Sequence, residues 1–146
     1  MWEKLVAYPT GKSDASYDDR ARITIISTPE EAQLLANQVY PEVITQVQTI
    51  DFSSFFVAAV FQGWKGSTGY SIEVTDLRQL GNTITVYALF HTPQPSGPDG
   101  IVFTNPLETS PYYILKVKKA EEITGDFTFV LMANGQEVAR QIQTIP

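Results

Sequence analysis

The 146 residues are 43% hydrophobic and 18% charged, with a formal net charge of −6, a globular composition and not that of a disordered tail. The densest basic stretch is Lys116, Lys118 and Lys119, too thin to neutralise a phosphate backbone, which argues against nucleic acid as a partner. There is no cysteine, so disulfides, thiolate nucleophiles and Cys-ligated metals are excluded together.

No apolar run is long enough to span a bilayer, and Met1-Trp2-Glu3-Lys4 lacks the apolar segment of a signal peptide. The expectation is a cytoplasmic chain, or one exported on a segment outside this sequence. Leu5 to Tyr8 reads as a short strand, followed by a polar loop from Pro9 to Arg20. Arg22 to Ser27 is β-branched and apolar enough for a second strand.

Thr28-Pro29-Glu30-Glu31 carries the signals of a helix start, with Thr28 as cap, Pro29 at the first helical position and Glu31 closing a capping box. Ala32, Leu34, Leu35 and Val39 set an apolar stripe at helical spacing, and Pro41 is expected to end or interrupt the helix. From Asp51 the pattern turns to strands. Phe55 to Phe61 is continuously apolar, as a strand buried on both faces would be.

Tyr70 to Val74 and Thr83 to Tyr87 alternate, and Leu80-Gly81-Asn82 supplies turn residues for a hairpin between them. Tyr112 to Val117 is a further strand. Phe127 to Met132 and Val138 to Ile142 flank Asn134-Gly135, the strongest hairpin signal in the chain. The fold class is therefore mainly β (α+β): an antiparallel sheet or β-sandwich with one N-terminal helix. The chain is read as one domain, 1–146, with a strand/helix part over 1–50, a core over 51–119 and a C-terminal hairpin over 120–146.

Sites of chemistry are sparse. The single histidine, His91, closes a strand ahead of a proline-rich loop, and no nucleophile-elbow sequence surrounds any serine. Asp14, Ser16, Asp18 and Asp19 resemble the opening of a calcium loop. The required glycine is Asp19, however, and the closing glutamate is Ile25. No catalytic, cofactor-binding or metal-ligating residue is assigned, no cofactor is expected, and the chain is read as not an enzyme.

The most unusual local feature is Gly63-Trp64-Lys65-Gly66-Ser67-Thr68-Gly69-Tyr70. A phosphate cradle would lead into a helix N-terminus, whereas this loop leads into a strand. It is either a tight connection in which glycine supplies positive φ, or a protruding loop that presents Trp64 to a partner. The residues alone leave both open.

Asp51-Phe52-Ser53, Phe56 to Gly63 and Ser67-Thr68-Gly69-Tyr70-Ser71-Ile72 resemble the PrcB C-terminal domain family, as do Tyr87, the Pro/Gly-rich loop and Thr109 to Val117. That resemblance covers roughly residues 50 to 119. It implies a noncatalytic accessory or stabilising role beside a bacterial protease complex and an extracytoplasmic setting, and it assigns no catalytic residues. Gly66 to Tyr70 is also similar to the Thr-Thr-Gly-Tyr loop of chagasin-type cysteine protease inhibitors, which insert loops into a protease cleft. Ser96 to Gly100 would stand in for their second loop, but the Arg-Pro-aromatic motif is missing.

The expected function is a noncatalytic protein-binding module accessory to a bacterial protease complex, with loop-insertion inhibition as the alternative. The expected partner is a protein, with no nucleic acid and no membrane span, and self-association through an open sheet edge is weighed beside it. The partner-binding residues assigned are Trp64, Gly66, Ser67, Thr68, Gly69, Tyr70, Pro95 and Gly97, with Trp64 and Tyr70 as anchors. The competing reading puts Tyr70 in the core and uses Trp64 as a lid over apolar side chains.

Overall fold

Period-two burial organises most of the chain. In Ser71–Leu80 the side chains of Ile72 and Val74 are buried while Glu73 and Thr75 face solvent, and Ile84, Val86 and Ala88 repeat the pattern in Thr83–His91. Phe55–Phe61 departs from it as expected, being buried on both faces from Phe56 onward. The computed structural model describes residues 2–9, 20–93, 95–96, 101–102, 108–120 and 124–146.

The strands are β1 Trp2–Tyr8, β2 Arg22–Ile26, β3 Phe55–Phe61, β4 Ser71–Leu80, β5 Thr83–His91, β6 Pro95–Ser96, β7 Ile101–Val102, β8 Tyr112–Lys118, β9 Gly125–Ala133 and β10 Gln136–Ile145. They form two four-stranded sheets, ordered β1-β8-β3-β2 and β10-β9-β5-β4, and β6 pairs with β7 in a small ribbon. Both expected hairpins are present. β4 and β5 join at Gly81–Asn82, and β9 and β10 join at Asn134–Gly135, where both turn residues have positive φ.

The sheets pack face to face. Ile23 and Ile25, Phe56, Ala58 and Val60, and Tyr113 and Leu115 meet Val86, Phe129, Leu131 and Ile145 in one buried cluster. All three parts of the chain set apart by the sequence reading contribute to it. The Phe56 and Phe129 rings meet across the interface in an edge-to-face pair with centroids 5.5 Å apart. The outer face of the first sheet is buried as well, since Val57, Ala59, Phe61, Tyr112 and Ile114 pack against Leu35, Val39, Val43 and Val47.

This helical cover differs from the expected helix. A 3₁₀ helix spans Glu30–Leu35, and the α-helix, α1, runs Pro41–Gln48. Pro41 starts a helix instead of ending one. Its ring favours the extended backbone of the N-cap Tyr40 (φ −66°, ψ 146°), its missing N–H costs nothing at a first helical position, and the first segment has already ended at Ala36 (ψ 141°). Asn37, at φ 69°, makes the break sharper.

The capping residues do act, one position displaced. Glu31 N–H donates to Thr28 Oγ1 at 3.3 Å, while the Glu31 carboxylate accepts from Ser27 N at 3.0 Å and from Ser27 Oγ at 2.6 Å. Gln143 Nε2 of β10 also donates to it at 2.8 Å. Burial by itself would raise the Glu31 pKa, but the Ser27, Gln143 and Thr28 hydrogen bonds outweigh it and hold the carboxyl below its ordinary value of 4.5. A depressed carboxyl stabilises the fold above that value and loses its contribution as pH falls through the folded one. The stability gap between wild type and Glu31→Gln should therefore be widest near neutrality, on the order of 1–2 kcal/mol. It should shrink below about pH 4.5 in denaturation series read at successive pH values.

Two features of the second sheet come only from tertiary pairing. β5 and β9 are parallel, because the chain leaves β5, crosses to β8 in the other sheet and returns. The Asn134 side chain extends that ladder, accepting from Phe90 N at 2.9 Å and donating to Phe90 O at 3.1 Å. Edge strands β1, β4 and β10 each carry a β-bulge, a device that twists an edge away from pairing with other chains.

Candidate functional site

The end of the sandwich that holds the glycine loop is built around Gln62. Gln62 N–H continues the β3–β8 ladder by donating to Pro111 O at 3.1 Å, and Gln62 Nε2 donates to His91 O at 3.1 Å. One buried side chain thus ties the ends of β3 and β5, which lie in different sheets. Gly63, at φ 99°, then turns the chain outward.

The loop is pinned along its length. Lys65 and Thr109 exchange backbone hydrogen bonds of 2.8 and 2.9 Å, and the buried Thr109 hydroxyl donates to Ser67 O at 3.1 Å. Ser67 Oγ donates to Thr68 O at 3.1 Å. Gly69 has φ 102°, and a Cβ there would lie 2.8 Å from Pro93 Cγ, so both the backbone conformation and the space require glycine. Gly66 meets neither demand, since a Cβ would make only ordinary contact, 3.7 Å from Trp64 Cη2.

Trp64 is half-buried and packs against the helix-facing core cluster. Tyr70 is half-buried too, with Lys65 Nζ 5.3 Å from its ring centroid, a cation–π contact on the outer side of the loop. Pro95 lies in β6, two residues beyond Pro93, and Gly97 lies outside the described residues. His91 is half-exposed at the end of β5, with Nε2 3.4 Å from Glu73 Oε2 on the neighbouring strand. The Asp14 to Asp19 stretch weighed for calcium lies outside the described residues.

The fold brings together the two sequence stretches that carried the resemblance, the loop before β4 and the Thr109-Ser110-Pro111 run before β8. Gln62, Pro93 and Thr109 were not singled out from the sequence as part of this loop's framework. Nothing local marks them, because each acts through a partner dozens of residues away.

The architecture is a mixed β-sandwich with a helical cover on one sheet, and its most organised loop joins the two sheets at one end. Residues 56–118 match the family model described as PrcB C-terminal, so the resemblance read from the sequence holds over that segment. The matched segment supplies the central pair of the first sheet, β8 and β3, and the β4–β5 hairpin of the second. No curated protein and no solved structure matches the chain. Among the described residues no helix is long and apolar enough to cross a membrane.

Proposed function

We propose that this chain is a noncatalytic protein-binding module acting beside a bacterial protease complex, and that it contacts its partner through the Trp64–Tyr70 loop. One observation carries this reading: the loop is held in shape before any partner arrives, by Thr109, Lys65 and the Gly69–Pro93 contact. A preformed loop loses little conformational entropy on docking, so its contacts turn into affinity efficiently. Tyr70 and the Lys65 ammonium above it form the anchor, while Trp64, packed on the helix-facing cluster, braces the loop from behind.

Affinity capture from a lysate of the source organism tests this, with wild type beside a Lys65→Ala, Tyr70→Ala double variant of matched thermal stability. A protease retained by wild type should be lost by the variant, since removing a true anchor costs about 2 kcal/mol or more, about thirtyfold in affinity. Recovery of the same proteins by both baits would remove the loop from the interface. A peptidase assay on the captured protease then separates accessory action, which leaves turnover intact or raises it, from inhibition, which lowers it.

A further inference from the structure

A second surface lies on the flank of the sandwich, away from the glycine loop. Edge strands β2 and β10 approach each other there, and side chains stitch their lower ends. Gln141 Oε1 accepts from Ile25 N at 3.2 Å, Gln141 Nε2 donates to Gln143 Oε1 at 3.1 Å, and Gln143 reaches Glu31. Toward Arg20 the edges part around a cleft of about 450 Å³.

Three of the four arginines in this acidic chain, Arg20, Arg22 and Arg140, line that cleft. Neighbours hold Arg22 and Arg140 in place. Arg22 donates to Gln38 Oε1 at 3.0 Å and lies 5.0 Å above the Phe61 ring, and Arg140 makes an exposed two-point contact with Glu137, at 2.7 and 3.2 Å. An exposed pair of this kind contributes little and exchanges readily for another carboxylate. The cleft wall also offers backbone. Ile23 lies two residues before Ile25 on an unbulged strand, so its N–H and C=O point to the same side as the Ile25 N–H that Gln141 caps. Among the described residues no group answers them.

We propose that the β2–β10 cleft is a docking groove for an extended acidic peptide segment of a partner protein. Such a segment would hydrogen-bond to Ile23 as an added strand and set its carboxylates against Arg20 and Arg140. The charge complementarity is local to this flank, against a net charge of −6 that by itself repels acidic chains.

The probe is a short fluorescein-labelled peptide of alternating glutamate and valine, beside its glutamine-for-glutamate counterpart. Fluorescence anisotropy should show the acidic peptide binding at least about tenfold more tightly, and weakening as salt rises. Arg20→Ser with Arg140→Ser, both at exposed positions, should cost about tenfold without lowering the melting temperature appreciably, whereas Tyr70→Ala should leave this binding unchanged. Hydrogen exchange of the Ile23 amide should slow when the acidic peptide is bound. Equal binding of both peptides, indifference to the arginine substitutions, competition by inorganic phosphate alone at the same concentration, or protection confined to the glycine loop would each overturn the proposal.

Discussion

Phe56→Ala should cost about 3–5 kcal/mol of unfolding free energy, a large share of the stability of a single domain. Phe56 is fully buried near the start of β3, and its ring meets Phe129 of the other sheet edge to face. Truncation removes the transfer energy of a whole aromatic side chain and leaves a cavity between two sheets whose backbones are held by their own ladders. Chemical denaturation should show one cooperative transition moved to much lower denaturant. Residues of β2, β3, β5, β9 and β10 share this core, so no part of the sandwich should unfold ahead of the rest. Leu80→Ala serves as the control. Leu80 is 86% exposed at the tip of the β4–β5 hairpin, and its loss should lie within about 0.5 kcal/mol of neutral.

The second large effect is expected at Gly69, and it bears on function. In Gly69→Val the side chain must occupy space already filled by Pro93, whose Cγ lies 2.8 Å from the position of a Cβ, on a backbone with φ 102°. The backbone conformation alone costs a β-branched residue on the order of 1–3 kcal/mol. The clash with Pro93 is relieved only by moving the loop away from it. Partner capture should then be lost at least as completely as with the Tyr70 variant, and the melting temperature should fall. Gly81→Ala makes the comparison informative. It too has positive φ, 61°, but nothing lies within 4 Å of its Cβ position. That change should cost about 1 kcal/mol and leave capture intact. If Gly69→Val captured partner as well as wild type does, the loop would be a connector and not an interface.

Much of the fold was legible because it is written in local terms. Asn134-Gly135 and Gly81–Asn82 carry the positive-φ residues that hairpins need, and the alternation of Ile72-Glu73-Val74 and Thr83-Ile84-Thr85 declares which face is buried. The continuous apolar run at Phe55–Phe61 correctly announced a strand covered on both sides. Helix placement was less legible. Thr28 and Glu31 do cap, but proline is a stop signal inside a helix and a start signal at its first position, and only the packing of Val43 and Val47 on the sheet decided which applied at Pro41.

The candidate site divides along the same line. The glycine loop stood out as a sequence, yet the sequence did not separate Gly69, which its contact with Pro93 requires, from Gly66, which has room for a side chain. Nor did it reveal Gln62 as the tie between the sheets or Thr109 as the pin beneath Ser67. By itself the sequence determined the eight longer strands, the two hairpin turns, the buried faces and the family resemblance over the central segment, since these depend on backbone preference and side-chain period within a few residues, but not the short β6–β7 ribbon. Tertiary structure decided the parallel pairing of β5 with β9, the shape of the loop and the meeting of Arg20, Arg22 and Arg140 at one cleft. Those features depend on which strand edges become neighbours when apolar faces are buried together, and that choice is made across the whole chain at once.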